Sequence, residues 1–368
     1  MIAMDSFKGC LTSQEANKAA AEGIRKKQPE AECICLPMSD GGEGMLEAFT
    51  QALGGVITET TVHDPLMRPI RAQWGYCKKT AIIEMAQASG LTRLSDNERD
   101  PLRSTSFGVG ELIAEAVHQG CESCIIGLGG SATCDGGVGM LQALGFDFMD
   151  SRGQFIEAGA GGGCLKDIQR ICSHRVLPEL KEMHFTIASD VNNPLYGPKG
   201  AAEVFAPQKG ADAQTVAILD QGLENLAQIT SKQHVANTPG AGAAGGVGFA
   251  IHALLGGEIR SGAELLLNLY HFDELLHNTT AVITGEGCSD RQTLMGKLPF
   301  VVLKHAQSQS VPTQLLAGRI DDYELLLKAG FDKAECINPK NCNLCEAMQK
   351  DIATKHITAT VSALISRY

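Results

Sequence analysis

The chain is 368 residues long, 44% hydrophobic and 20% charged, an ordinary globular composition that supplies a sizeable core and excludes a disordered chain. Its 41 glycines, set against one tryptophan and 5% aromatic residues, favour a loop-rich α/β protein over an all-β scaffold or a protein that stacks bases. The formal net charge is −11 with no long basic stripe, which argues against a nucleic-acid or anionic-membrane partner, so an anionic substrate has to be held by a few locally placed Lys and Arg.

Residues 1–4 read as a short strand, and the charges that follow at Asp5 and Lys8 come too early for a secretory signal. No uncharged apolar run approaches the ~20 residues of a membrane span, so a cytoplasmic protein is expected. Thr12 and Glu15 form a T-x-x-E capping box ahead of a helix whose Ala16, Ala19, Ala20, Gly23 and Ile24 share a face. Residues 33–36 read as a second buried strand. Residues 56–63 and 70–86 alternate with period two around Asp64-Pro65 and predict a meander in a mixed sheet. Further strands are expected at 125–128, 185–188, 281–284, 313–316 and 334–337, with helices over 106–119, 212–229, 299–308 and part of 346–366. The alternation is cleanest at the two ends of the chain. It predicts two α/β domains: a Rossmann-like domain with a mainly parallel sheet from residues 1–52, 92–134 and 262–368, and an inserted mixed-sheet domain from 53–91 and 135–261.

A glycine turn that opens a helix occurs three times: Asp40-Gly-Gly-Glu-Gly-Met45, Asp135-Gly-Gly-Val-Gly-Met140 and Ala244-Gly-Gly-Val-Gly-Phe249. Helix N-termini carry unpaired N–H groups and partial positive charge, and glycine lets an anion approach the backbone, so the three together point to phosphate and carboxylate sites. The plainer reading of any single copy is tight packing with Asp as an N-cap. Gly127-Leu-Gly129-Gly-Ser-Ala132 also matches a dinucleotide fingerprint, without a clear second strand carrying its acidic residue. No P-loop and no nucleophile motif is present.

Polar runs follow several strand-like segments, where open α/β sheets place their ligands. Lys8 can hold a phosphate or carboxylate as a point charge, or be a solvated loop lysine. Asp190 can be a base or a Mg²⁺-organising carboxylate, or an Asx turn before Asn193-Pro194. Glu286 and Asp290 are hard oxygen ligands suited to Mg²⁺, with helix capping by Asp290 as the alternative. Lys209 is a weaker phosphate candidate, more often a surface lysine. Most of the 13 cysteines lie in or beside apolar segments, as small core residues do. Cys336, Cys342 and Cys345 cluster, with His356 as the nearest fourth zinc ligand, and a reduced-thiol surface loop is the plainer reading.

Seven runs in order resemble the bacterial glycerate kinase family of the first class: Asp5-Ser-Phe-Lys-Gly9, Ser39-Asp-Gly-Gly-Glu-Gly44, Gly129-Gly-Ser-Ala-Thr-Cys-Asp-Gly-Gly137, Asp190-Val-Asn-Asn-Pro-Leu195, Val204-Phe-Ala-Pro-Gln-Lys-Gly-Ala211, Gly240-Ala-Gly-Ala-Ala-Gly-Gly246, and Thr284-Gly-Glu-Gly287 with Gln292-Thr293 and Gly296-Lys297. The resemblance implies ATP- and Mg²⁺-dependent phosphorylation of D-glycerate to 2-phosphoglycerate in a cleft between two α/β domains. It gives Asp190 the role of base or orienter for the glycerate hydroxyl. Lys8 would stabilise charge on the transferring phosphoryl group. Asp5, Ser6, Asp40, Gly41, Gly42 and Glu43 would hold glycerate, with Arg68 or backbone N–H groups on its carboxylate. Gly130, Ser131, Ala132, Thr133, Asp135, Gly136 and Gly137, with Gly240, Gly242, Gly245 and Gly246, would cradle the ATP phosphates alongside Lys209 and Lys297. Glu286 and Asp290 would lie near Mg²⁺. A homodimer is left open. Alternatives are a kinase that yields 3-phosphoglycerate or takes another hydroxy acid, a nicotinamide-dependent dehydrogenase, and an inactive ligand sensor. Cys10, Cys134 and Cys288 depart from the pattern, the first two standing where Ser and Asn are expected.

Overall fold

Short apolar runs separated by glycine turns set the strands, which in chain order are β1 (Ile2–Met4), β2 (Val56–His63), β3 (Pro69–Cys77), β4 (Thr80–Glu84), β5 (Ser123–Gly127), β6 (Asp147–Met149), β7 (Arg170–Cys172), β8 (His184–Ala188), β9 (Glu258–Arg260), β10 (Val282–Ser289), β11 (Thr313–Ile320) and β12 (Lys333–Cys336). The structure is a computed structural model that describes residues 1–340 and 342–365. It divides into a first unit of residues 1–52 and 262–368 and a second of residues 53–261.

In the first unit, β1, β10, β11 and β12 form a parallel sheet in that order, with Met4 opposite Gly285 and Glu286 opposite Ala317. Helix Ser13–Arg25 begins at the expected capping box, Thr12 and Glu15 each bonding the other's backbone N–H. It lies close against helix Lys350–Ile365 because position 23 has no side chain: a Cβ there would meet the Thr358 carbonyl at 2.6 Å. Ala16, Ala20, Ile357 and Val361 fill that interface together with Ile2 and Met4. A separate cluster of Leu303, Leu315, Leu326, Phe331 and Ala334 joins helices Leu298–Ser308 and Tyr323–Ala329 to β11 and β12.

Residues 33–36 do not form a strand. They make one bridge, Ile2 to Cys35, and Pro37 has no N–H with which to extend it. Asn17 holds the segment instead: its Oδ1 accepts from the Met4 N–H at 3.0 Å and its Nδ2 donates to the Leu36 carbonyl at 2.7 Å, all buried.

The second unit carries a six-stranded sheet, β2-β3-β4-β5-β8-β9, antiparallel through β4 and parallel from there on. The meander forms as predicted, turning where the Asp64 carboxylate accepts the N–H groups of Leu66 and Arg68. Trp74, Leu112, Ile113, Phe148, Leu223 and Phe249 are among the side chains of its core. Residues 92–134 belong to this unit and not to the first, a correction to the sequence reading. The reason is pairing: β5 is hydrogen-bonded between β4 and β8, and helix Phe107–His118 packs its Val109 and Leu112 into the same core. The β6–β7 ribbon and β9 were not expected, since three-residue strands interrupted by Asp147, Arg170 or Glu258 leave no apolar run. Among the described residues no helix is long and apolar enough to cross a membrane.

Replacing Asn17 with Ala strands a buried N–H and a buried carbonyl, and chemical denaturation should show a loss of about 1–3 kcal/mol. An unchanged midpoint would mean that the 33–36 segment contributes nothing to the first unit's stability.

Candidate active site

In the first unit the C-terminal ends of the parallel strands open on a cavity of about 430 Å³, the position where open α/β sheets receive ligands. Asp5, Ser6 and Lys8 reach it from the turn after β1, and Glu286, Gly287 and Cys288 from the end of β10. Arg319 enters from β11, Asp40 from its glycine loop, and Lys297 from the N-cap of helix Leu298–Ser308. Six of the residues expected at the site therefore line one cavity. Arg319 was not foreseen, although a glycine and an arginine that interrupt an apolar run at a strand's C-terminal end were a usable signal.

The electrostatics of this cavity are those of acids crowded out of water. Burial first, then repulsion from Asp40 and, more weakly, Glu286, pushes the Asp5 carboxyl up to about 8, against the opposing effects of the Ser6 N–H and Lys8. That N–H donates to Asp5 Oδ1 at 2.7 Å. Burial also raises Glu286, opposed by hydroxyl donors from Thr293 at 2.6 Å and Ser289 at 3.0 Å and by the ammonium of Lys297 at 3.9 Å. Ser6 Oγ is buried and makes no hydrogen bond among the described residues. It supplies a donor and an acceptor aimed at the same space.

Other expected residues of the first unit stand beside the cavity. Asp40 Oδ1 accepts the Gly42 N–H at 3.0 Å, while Gly41 donates to Ser39 Oγ at 3.3 Å and Glu43 is exposed. Asp290 caps a local turn by accepting the Gln292 N–H at 2.7 Å, and it lines a neighbouring hollow with Asp321 and Asp322. It reaches Glu286 only as a repulsive charge. Among the described residues no three His, Cys, Asp or Glu side chains converge on a common metal position. His356, weighed above as a zinc ligand, bonds Asn338 Oδ1 through Nδ1 at 2.9 Å.

In the second unit, Asp190 lies half-buried just past the end of β8, and the Gly129–Thr133 loop follows β5. Lys209 is a correction to the reading of it as a surface lysine. It is 2% exposed, and its Nζ donates to Ser131 Oγ at 2.9 Å and to the Thr133 carbonyl at 2.7 Å, while burial lowers its proton affinity.

Asp135, Gly136, Gly137, Gly245 and Gly246, expected to cradle phosphate, are buried and closely packed. The Asp135 carboxylate accepts from Ser106 N–H and Oγ, both at 2.8 Å, and from the N–H groups of Gly137 and Gly139. The Gly136 N–H donates to the Gly245 carbonyl at 2.9 Å. Cβ atoms on Gly136, Gly137, Gly245 or Gly246 would fall 2.2–2.8 Å from neighbouring atoms. Gly240 and Gly242 are buried too, the latter donating its N–H to the Asn193 carbonyl. Of the expected nucleotide residues here, Gly130 is exposed, while Ser131, Ala132 and Thr133 are buried behind it. Arg68 spends its guanidinium on Asp64 and Glu98, both at 2.6 Å. The dinucleotide fingerprint fails on geometry, since the next helix opens only at Val138 and no helix N-terminus sits at Gly129–Ala132.

The fold is α/β with a cavity at its strand ends, and comparison with known proteins gives its class. The whole chain, residues 1–368, matches the glycerate kinase family, to which it belongs. It is 40% identical to the glycerate kinase of Halalkalibacterium halodurans over 374 aligned positions, covering 100% of this chain and 98% of that one. It is equally 40% identical to the glycerate 2-kinase of Escherichia coli, covering 98% and 97%. The crystal structure of the chain assigned as glycerate kinase 2 in Salmonella typhimurium LT2 superposes with a TM-score of 0.84 at 37% identity, covering 100% and 96%.

The raised Asp5 carboxyl has a signed consequence. Because its folded-state value lies above the ordinary aspartate value of 3.8 and reaches about 8, the folded state binds the extra proton and stability is lost as pH climbs between those limits. Asp5→Asn should therefore match the parent's melting temperature near pH 4, exceed it increasingly toward pH 8, and level off above. The same variant should lose activity. A melting difference independent of pH would remove the electrostatic account of the cavity.

Proposed function

We infer that the chain transfers the terminal phosphoryl group of ATP to the 2-hydroxyl of D-glycerate, giving 2-phosphoglycerate in the cytoplasm. What carries this reading is that a member of the glycerate kinase family brings Lys8 and Lys297 together with buried carboxylates in one cavity at its strand ends. Phosphoryl transfer needs positioning and charge neutralisation more than covalent help, and those are what these side chains provide.

Lys8 is exposed at the cavity and free to follow the charge of the transferring group, whereas Lys297 stands against Glu286. Ser6 Oγ offers an uncommitted hydrogen bond to glycerate or phosphate oxygen. Asp190 orients the glycerate hydroxyl and takes its proton. Arg68, tied to two carboxylates, is a poorer carboxylate clamp than its charge suggests. The donor set fits Mg²⁺, which usually takes one or two carboxylates and fills the rest of its shell with water and substrate phosphate. Asp5 and Glu286 would hold it, with Asp40 beside them, and when bound it would offset phosphate charge.

³¹P NMR of the purified protein with D-glycerate, ATP and Mg²⁺ should show the 2-phosphoglycerate resonance. A 3-phosphoglycerate signal would keep the kinase and overturn the pose of glycerate, and binding without transfer would favour the ligand sensor. Asp190→Asn should lower kcat by about 10²–10⁴-fold while leaving ATP binding in place. Normal turnover in that variant would take the base assignment away from Asp190.

A further inference from the structure

The cavity of the first unit has two chemically different ends. The polar end holds Asp5, Ser6, Lys8, Asp40, Glu286 and Lys297. The other end is apolar, with Phe7 and Cys10 from the turn after β1, Ile337 after β12, and Leu344 and Met348 at the rim. Leu344 is 71% exposed and Met348 41%. Cys10 Sγ lies 4.0 Å from the Ala347 carbonyl, and a Cβ on Gly9 would stand 3.3 Å from the Met348 methyl, so the turn after β1 and the 344–348 segment share this wall. Gly287 also lines the cavity, and a Cβ added there would find its nearest atom 3.8 Å away, leaving open floor.

Glycerate has no use for the apolar end. Each of its three carbons bears oxygen, and burial against Leu344 and Met348 would strip those oxygens of water without replacing their hydrogen bonds. A purine does the opposite. Its flat faces gain from apolar contact, a thioether packs favourably on an aromatic ring, and covering Leu344 removes exposed hydrocarbon from water. The size of the cavity falls within the ~300–1,000 Å³ of small-molecule sites.

We propose that the apolar end, walled by Cys10, Leu344 and Met348, receives the adenine base of the phosphoryl donor, with its phosphates directed to Lys8 and Lys297. The identity of the ligand rests on the kinase reading above, but the base subsite is testable without turnover. It also accounts for the lack of an open glycine cradle in the second unit, since base and phosphates are then held on the first.

Cys10, a departure from the family pattern, is a built-in reporter at this end. Under N-ethylmaleimide labelling of the full chain read peptide by peptide, adenosine and ATP should slow alkylation of Cys10 about fivefold or more at several times their dissociation constants. Cys33, in the same unit but outside the cavity, should be unaffected, and tripolyphosphate or D-glycerate should leave Cys10 reactive. Protection of Cys10 by D-glycerate, or ATP that binds by calorimetry without protecting it, overturns the subsite. ATP that does not bind at all overturns the kinase reading and the subsite with it. Leu344→Asp, at an exposed position that leaves the core intact, should raise KM for ATP about tenfold and leave KM for D-glycerate within about twofold. An unchanged KM for ATP, or a rise in that for D-glycerate alone, counts against the proposal.

Discussion

Parallel pairing with Met4 opposite Gly285 brings the next residue of each strand, Asp5 and Glu286, side by side at the end of the sheet. Burial disfavours ionisation of both carboxyls, and for Asp5 the repulsion comes first from Asp40 and more weakly from Glu286. Much of the surrounding structure answers that constraint. The Ser6 N–H, the hydroxyls of Ser289 and Thr293, and the ammonium groups of Lys8 and Lys297 all offset negative charge here. What they leave uncompensated is retained as a local instability, the usual condition of a site kept ready for a charged ligand. A chain of net charge −11 thereby keeps the ammonium groups of Lys8 and Lys297 in one cavity with clustered acids.

The three glycine turns show how one motif serves unlike ends. Asp40 and Asp135 precede the same Gly-Gly pair, yet Asp40 faces a cavity while Asp135 is wholly enclosed by donors of its own chain. The third copy has Ala244 in place of the acid, with φ at +54°, and packs its glycine carbonyl onto the second copy. A helix N-terminus attracts an anion whether that anion is a ligand or a neighbouring carboxylate. In the Asp135 copy that carboxylate is supplied by the chain itself, and its donors are satisfied from within.

What was legible in the sequence follows from the range of each signal. Periodicity and capping are local, and the helix at Thr12, the β2–β3–β4 meander and most of the parallel strands lie where those signals place them. Partnership is not local. Residues 123–127 read as a buried strand from their own composition, but only hydrogen bonds to β4 and β8 assign them to the second sheet. The same limit applies at residues 33–36, where one buried asparagine substitutes for a ladder. Candidate residues at strand ends could be found because the fold class fixes where its ligands go. Which end of the cavity each would line could not, because part of the apolar wall, Leu344 and Met348, lies more than 330 residues along the chain from Lys8.

Lys8 and Lys209 make the point in one residue type. Both sit in family-like motifs and both read as phosphate ligands, yet one is exposed on a cavity and the other is 2% exposed among neutral partners. A buried ammonium without a carboxylate bonded to it is costly, and its persistence calls for a function in the folded state. The geometry supplies one: from beneath, its Nζ ties the Ser131 hydroxyl to the Thr133 carbonyl and so fixes the shape of the loop after β5. In that arrangement the lysine contributes by immobilising backbone. A charge directed inward gives the loop a single conformation, where a charge directed outward would have given it only affinity.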